Sequence, residues 1–312
     1  MVWSIRNLLA ACSVAFLAAC GGGGDDGAIN PSSVIGVAKA NGQFGILAEA
    51  VEAAGLTSAL SNSGPYTVFA PTDAAFAALL TELGVTKAQL LADKPLLTSV
   101  LSYHLVGASV PKASVPVGKA ITTTQGGFFK VEASAGGALT VQDGRNRIAK
   151  ITATDVAASN GVIHVIDKVL LPANRNIVQT AQALPDFSIL VEAVVAANLQ
   201  GALSGTGPFT VFAPTNAAFA NLLTELGVTK DQLLANTALL TSVLKYHVVS
   251  GRVLKADVPV GAAISTLETG KTFTIDGTLA ITDAQGRKSN IVATDVFTSN
   301  GVIHVVDKVI LP

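Results

Sequence analysis

The chain has 312 residues, half of them hydrophobic and 13% charged, with a formal net charge of −1. That balance, without any basic cluster, leaves no electrostatic footprint for nucleic acid. The two cysteines, Cys12 and Cys20, both fall in the first twenty residues. Disulfides, thiolate metal sites and cysteine nucleophiles are therefore excluded from the remainder.

Residues 1–19 read as an export signal. Arg6 and the amino terminus supply positive charge, and an apolar stretch from Leu8 to Ala19 follows, too short to span a membrane comfortably. It ends in Leu17-Ala18-Ala19-Cys20, which resembles the lipobox of bacterial lipoproteins. That resemblance implies cleavage before Cys20 and diacylglycerol on its sulfur. Each buried methylene contributes about 0.8 kcal/mol, so two or three acyl chains hold firmly where one holds marginally. Residues 20–31 begin as a flexible polar tether, Gly21 to Gly24, Asp25, Asp26 and Gly27. Gly21 after the cysteine, rather than Asp, resembles lipoproteins sent to the outer membrane. The expected location is the bacterial envelope, reached by export. After Cys20 no apolar run is long enough for a transmembrane helix.

The rest is written twice. Gly64-Pro65-Tyr66-Thr67-Val68-Phe69-Ala70-Pro71-Thr72 returns as Gly207-Pro208-Phe209-Thr210-Val211-Phe212-Ala213-Pro214-Thr215. Asn160-Gly161-Val162-Ile163-His164-Val165 returns as Asn300-Gly301-Val302-Ile303-His304-Val305. The period is about 140 residues, far beyond the 20–50 of solenoid repeats, so the unit is a duplicated domain. The expected boundaries are 32–172 and 175–312. A joint of only Ala173 and Asn174 implies that the domains touch or are restricted in orientation.

In chain order, Phe44, Leu47, Ala48 and Val51 fall at helical spacing, as do Phe187, Leu190, Val191 and Val194. Thr67 to Ala70 predicts a strand ended by Pro71, and Thr72 can cap the helix carrying Phe76, Leu79 and Leu80. Thr86 with Gln89, and Thr229 with Gln232, have capping-box spacing. A helix over Leu96 to Leu101 is expected to give way to a strand at Tyr103-His104-Leu105-Val106. Asp276-Gly277 predicts a tight hairpin, and the first copy has a longer loop there, Ala133 to Ala138. Asn160-Gly161 and Asn300-Gly301 mark turns into final strands rich in Val and Ile. Helices first and strands later predict an α+β fold.

Thr67 to Phe76 resembles the first signature of the fasciclin domain, and Asn160 to Leu170 the second. Tyr103-His104, bracketed by branched apolar residues, sits between them as in that family. All three recur, as Thr210 to Phe219, Asn300 to Ile310, and Tyr246-His247. Asn216 replaces Asp73, and both residue types serve the first turn of a helix. The resemblance implies two fasciclin-like domains, each a compact β-sandwich or wedge with packed helices. It also marks Tyr103, His104, Tyr246 and His247 as an interaction edge, because the corresponding pair in animal members is implicated in integrin binding and adhesion. The competing reading puts each tyrosine under the sheet, with the histidine hydrogen-bonded to backbone.

Catalytic chemistry finds little to build on. Each copy holds two histidines, His104 and His164, then His247 and His304, without the helical i, i+4 spacing of zinc motifs. No Gly-x-Ser-x-Gly elbow or phosphate loop occurs. A carboxylate pair could be assembled from Glu82, Asp155 and Asp167, or from Glu225, Asp295 and Asp307. Surface exposure explains Glu82 and Asp167, and a strand end or turn explains Asp155. Because the copies are so alike over Gly64 to Ala120, retention does not separate function from packing. The expectation is a non-catalytic envelope adhesion protein with no metal or cofactor. Its partner would be a protein or polysaccharide of the envelope, matrix or host surface. The alternatives are a polysaccharide- or small-ligand-binding lipoprotein, which would show a pocket between the domains, and a hydrolase, which would show a carboxylate-lined cleft.

Overall fold

The structure, a computed structural model, describes residues 32–62 and 64–312. The signal, the tether and Cys20 lie outside the described residues. The first copy opens with helices α1 (Val34–Ala40), α2 (Gly45–Ala53) and α3 (Thr57–Asn62). Strand β1 (Tyr66–Pro71) leads into α4 (Asp73–Leu83), α5 (Lys87–Ala92), α6 (Lys94–Tyr103) and the short β2 (Leu105–Val106). Five strands complete it: β3 (Ala120–Thr122), β4 (Phe128–Ala133), β5 (Leu139–Gln142), β6 (Ile148–Ala158) and β7 (Gly161–Ile166). The second copy repeats this order with α7 (Ile177–Gln182), α8 (Ser188–Ala196), α9 (Gln200–Leu203) and β8 (Phe209–Pro214). It continues through α10 (Asn216–Leu226), α11 (Lys230–Ala235), α12 (Thr237–Tyr246) and β9 (Val248–Ser250). It ends with β10 (Ala263–Ser265), β11 (Thr272–Ile275), β12 (Ala280–Thr282), β13 (Lys288–Thr298) and β14 (Gly301–Val306).

Local chemistry sets the helix ends. The Thr72 hydroxyl accepts from the Ala75 N–H at 3.3 Å, and Gly84 closes α4 at φ +66°. Thr86 and Thr229 complete reciprocal capping boxes with Gln89 and Gln232. Two expectations need correction. Tyr103 and His104 do not begin a strand: the His104 N–H still bonds Val100 and Leu101, so only Leu105 and Val106 pair with β1. The hairpin at Asp276-Gly277 is a four-residue loop, in which the Asp276 carboxylate accepts the Thr278 and Ala280 N–H groups. Leu279 closes that loop in the left-handed region, at φ +64°.

Each copy forms one seven-stranded sheet, in order β2-β1-β7-β6-β5-β4-β3 and then β10-β11-β12-β13-β14-β8-β9. All neighbours are antiparallel except β1 with β7 and β8 with β14. This parallel pair brings the two sequence signatures side by side. A Cβ on Gly161 would stand 2.1 Å from the Tyr66 carbonyl oxygen, and one on Gly64 2.2 Å from that of Asn160. Only glycine permits such an approach. Strand β6 runs eleven residues and slips register between Ile151 and Val156, where Asp155 sits at φ +58°. Such a bulge bends the strand and turns the sheet upon itself. The result is an α+β wedge with two packed layers. Leu47, Val51, Phe76, Leu79 and Leu97 join helices to one face, while Phe69, Phe129, Val131, Val141 and Ile166 fill the other. Fully burying a side chain such as Phe129 contributes roughly 1.5–3 kcal/mol.

The domains also touch. The Phe128 and Phe297 rings meet with centroids 4.6 Å apart, inside a cluster with Leu254 and Val302. Beside them the Lys130 ammonium lies 2.7 Å from the Asp295 carboxylate, both side chains almost wholly buried. The Asn146 side chain pairs with the backbone of Phe297, accepting its N–H at 2.7 Å and donating to its carbonyl at 3.1 Å. Gln142 donates to the Asp295 carbonyl at 2.7 Å. Each copy nonetheless has its own core. Fragments covering 32–172 and 175–312 are expected to melt cooperatively by circular dichroism. The second should be less stable alone than in the pair, because Asp295 and Phe297 lose Lys130 and Phe128. A fragment without a cooperative transition would show that the cores are not separate.

Candidate functional site

The Tyr-His pairs lie inside the fold. Tyr103 and Tyr246 are 0% exposed, His104 2% and His247 1%. They close the end of α6 or α12 on the sheet. The Tyr103 hydroxyl donates to the Phe128 carbonyl, and its ring packs on Phe129 at 6.1 Å. Tyr246 donates to the Thr272 carbonyl at 2.8 Å and accepts the Ala284 N–H at 2.9 Å. Burial pushes both phenols up from their ordinary pKa.

His104 caps its own helix. Its Nδ1–H donates to the Val100 carbonyl at 2.7 Å, and its Nε2 accepts the Leu170 N–H at 2.8 Å. His247 does the same with Val243 at 2.8 Å and Ile310 at 3.1 Å. Nε2 must be unprotonated to receive an amide, so both rings are neutral in one fixed tautomer. Burial, only partly opposed by the carbonyl bond, lowers both pKa values from 6.5 to about 4. The Tyr-His pair of each copy is thus a clamp between a helix end and the segment that follows the final strand, with its side chains directed inward.

The remaining candidates are held apart by separate partners. His164 Nε2 donates to the Val110 carbonyl at 2.9 Å, and His304 Nε2 to that of Val253 at 2.9 Å. Their Nδ1 atoms face the N–H groups of Asp155 and Asp295 at the bulges. Asp155, expected at a strand end or turn, sits within β6 and accepts the Lys112 N–H at 2.8 Å. Glu82 pairs with Arg147 at 2.9 Å and Glu225 with Arg287 at 2.7 Å. Asp167 and Asp307 accept the N–H groups of Lys150 and Asn290, both at 2.7 Å. Among the described residues, no three His, Cys, Asp or Glu side chains gather as a metal-ligand set.

A different site comes from both copies. A cleft of about 330 Å³ opens between them, lined by Tyr103, Gln125 to Phe128, the joint at Pro172 and Ala173, and Arg252, Thr298 and Ser299. Arg252 lies flat enough on Phe128 to put Cζ 3.8 Å from the ring centroid. Its Nε is buried without a hydrogen-bond partner among the described residues. Motif reading missed these residues because it followed what the copies share. The signal lay where they differ. Arg252 occupies the position of Ser109, Phe128 that of Thr272, Lys130 that of Thr274, and Phe297 that of Ala157.

The fasciclin-domain family model matches residues 42–172 and 185–312. Transforming growth factor-beta-induced protein ig-h3 of Oryctolagus cuniculus is 30% identical over 263 residues, 81% of this chain and 35% of that protein. The chain therefore matches only about a third of that relative's length. Protein sll1483 of Synechocystis sp. is 43% identical over 150 residues, 47% of this chain and 79% of that one. Among solved structures, the FAS1 domain pair of the insect cell adhesion molecule Fasciclin I aligns at 18% identity and TM-score 0.44. That alignment covers 86% of this chain and 97% of the other. By its sequence signatures and by both family matches, this chain belongs to the fasciclin-domain family and carries two such domains in tandem.

Proposed function

We propose that the protein is a non-catalytic adhesion module of the bacterial envelope, exported and held by lipid on Cys20. The observation that carries this reading is the pair of fasciclin domains fixed against each other by the Lys130–Asp295 contact and the Phe128–Phe297 stack. A rigid pair presents two surfaces in constant relation. Once one is engaged, the second contact is effectively intramolecular, and avidity rises by about 10²–10⁴ without a stronger individual site. The buried histidines and tyrosines serve the frame, so contact falls to exposed positions. Among the described residues no helix is long and apolar enough to cross a membrane. The Leu17-Ala18-Ala19-Cys20 ending supplies the anchor in this reading.

Replacing Cys20 with Ser is expected to abolish labelling by radioactive palmitate and to release the protein from membranes. Cells carrying that variant should lose adhesion to surfaces coated with envelope or matrix extract, while beads coated with purified protein keep it. Unchanged labelling would count against the anchor. Beads that fail to adhere to any such surface would count against the adhesion role.

A further inference from the structure

The interdomain cleft carries a cation, Arg252. Arg252 is partly buried against Phe128, and no ion pair among the described residues includes it. Its neighbours show the contrast. Lys130, equally interfacial, has Asp295 and Glu132, each at 2.7 Å. Arg147 has Asp143 and Glu82, each at 2.9 Å. Burial lowers the pKa of Arg252 from the ordinary arginine range, opposed by Tyr103. That phenol stays neutral, since burial raises its own pKa. A desolvated guanidinium without a countercharge costs free energy that an incoming anion would recover.

We propose that this cleft binds a carboxylate carried on a sugar ring, a uronate unit of an acidic polysaccharide, with Arg252 as the anion contact. The proposal rests on the adhesion reading and names the chemistry of what is held. The lining supports it in three ways. First, the guanidinium offers a planar fork of donors, the geometry that matches a carboxylate. Second, Gln125, Thr298 and Ser299 bring an amide and two hydroxyls to the lining, with Ser299 exposed. These groups suit a ring that carries hydroxyls beside its acid. Third, the cleft lining holds one cationic side chain, Arg252, which suits a polymer of single, spaced carboxylates.

The site requires the pair. Phe128 and the Gln125–Gly127 loop come from the first copy, and Arg252, Thr298 and Ser299 from the second. In the first copy Ser109 stands at the position of Arg252, so the duplication did not supply the site twice.

The test is titration of the purified full-length chain with digalacturonate, followed by calorimetry and ligand-observed NMR. Three comparison arms are neutral digalactose, a tripeptide with a free C-terminal carboxylate, and inorganic sulfate. Digalacturonate is expected to saturate with a dissociation constant on the order of millimolar, and each comparison ligand to bind at least about tenfold more weakly. Arg252→Gln should weaken digalacturonate by about tenfold or more, while Arg252→Lys retains part of the binding. Because Arg252→Gln can loosen the domain contact, a second variant, Ser299→Tyr, fills the cleft from an exposed position and should also abolish binding. The melting curve of each variant is recorded alongside.

Equal binding of digalactose overturns the role of the charge. Equal binding of the tripeptide or of sulfate overturns the sugar acid. No saturation by digalacturonate, or full binding by either folded variant, overturns the site. The titration contains no surface, so a failure of bead adhesion is read separately from a failure of the cleft.

Discussion

Acidification from pH 6.5 to 4 is expected to remove a substantial part of the stability of both domains, because each contains a histidine that folds only as the neutral ring. His104 and His247 are held at a pKa of about 4, against 6.5 for an exposed histidine. The cause is burial first, with the carbonyl bond opposing it. Between those values the unfolded chain binds the proton and the folded one does not, so stability rises with pH across this window. It is complete above about 6.5 and falls away as pH drops toward 4. At about 1.4 kcal/mol per pH unit, each histidine removes roughly 3 kcal/mol. A domain has only about 5–15 kcal/mol in total. The geometry gives the same direction: a proton on Nε2 would face the Leu170 or Ile310 N–H that now donates to it.

His104→Leu with His247→Leu separates this effect from ordinary carboxylate titration. At pH 7 the double variant should be less stable by roughly 1–3 kcal/mol per site, because an amide and a carbonyl lose their partner. Between pH 6.5 and 4.5 its stability should vary much less than that of the wild type. Urea denaturation at three pH values measures both. Equal slopes in the two proteins would remove the histidines as the cause.

Much of the fold is legible in the sequence because much of it is local. Thr72, Thr86 and Thr229 act on amides three residues away, and periodicity shows the helix faces directly. The parallel pairing of β1 with β7 has no local signal, yet both strands carry the signatures that reveal the family. What escaped depends on partners distant in the chain. His104 meets Leu170 across 66 residues, and Lys130 meets Asp295 across 165. No spacing rule reaches so far. Asp155 in Thr154-Asp155 reads as a strand end or turn acceptor because a strand bulge and a turn both favour a residue that tolerates positive φ. Duplication adds another reason. Resemblance between the copies highlights the frame, while the interface and the cleft are made of residues that differ.

Lys130→Met is expected to be the most disruptive change at the domain contact. The ammonium bridges the copies in the buried part of the contact, within 2.7 Å of Asp295 and of Glu132. Burial alone would lower its pKa, but hydrogen bonds and charge from those carboxylates leave it raised above that of an ordinary lysine. With the lysine gone, Glu132 remains in water, but the Asp295 side chain is 2% exposed and keeps only the Lys255 N–H at 2.9 Å. A buried charge left unpaired typically costs about 3–5 kcal/mol. Scanning calorimetry should therefore show the coupled melt of the wild type separating into two transitions, the lower one belonging to the second domain. Adding Asp295→Asn should recover most of the loss, since no charge is then stranded. Asn also tolerates the positive φ of 58° at this position, as Leu would not. Breaking a buried pair and replacing it are different operations, and the double variant tells them apart. A single unshifted transition in Lys130→Met would mean that the aromatic stack and the Asn146 bonds hold the domains without the ion pair. In the expected outcome, the cleft that both domains line loses its fixed width together with the lysine.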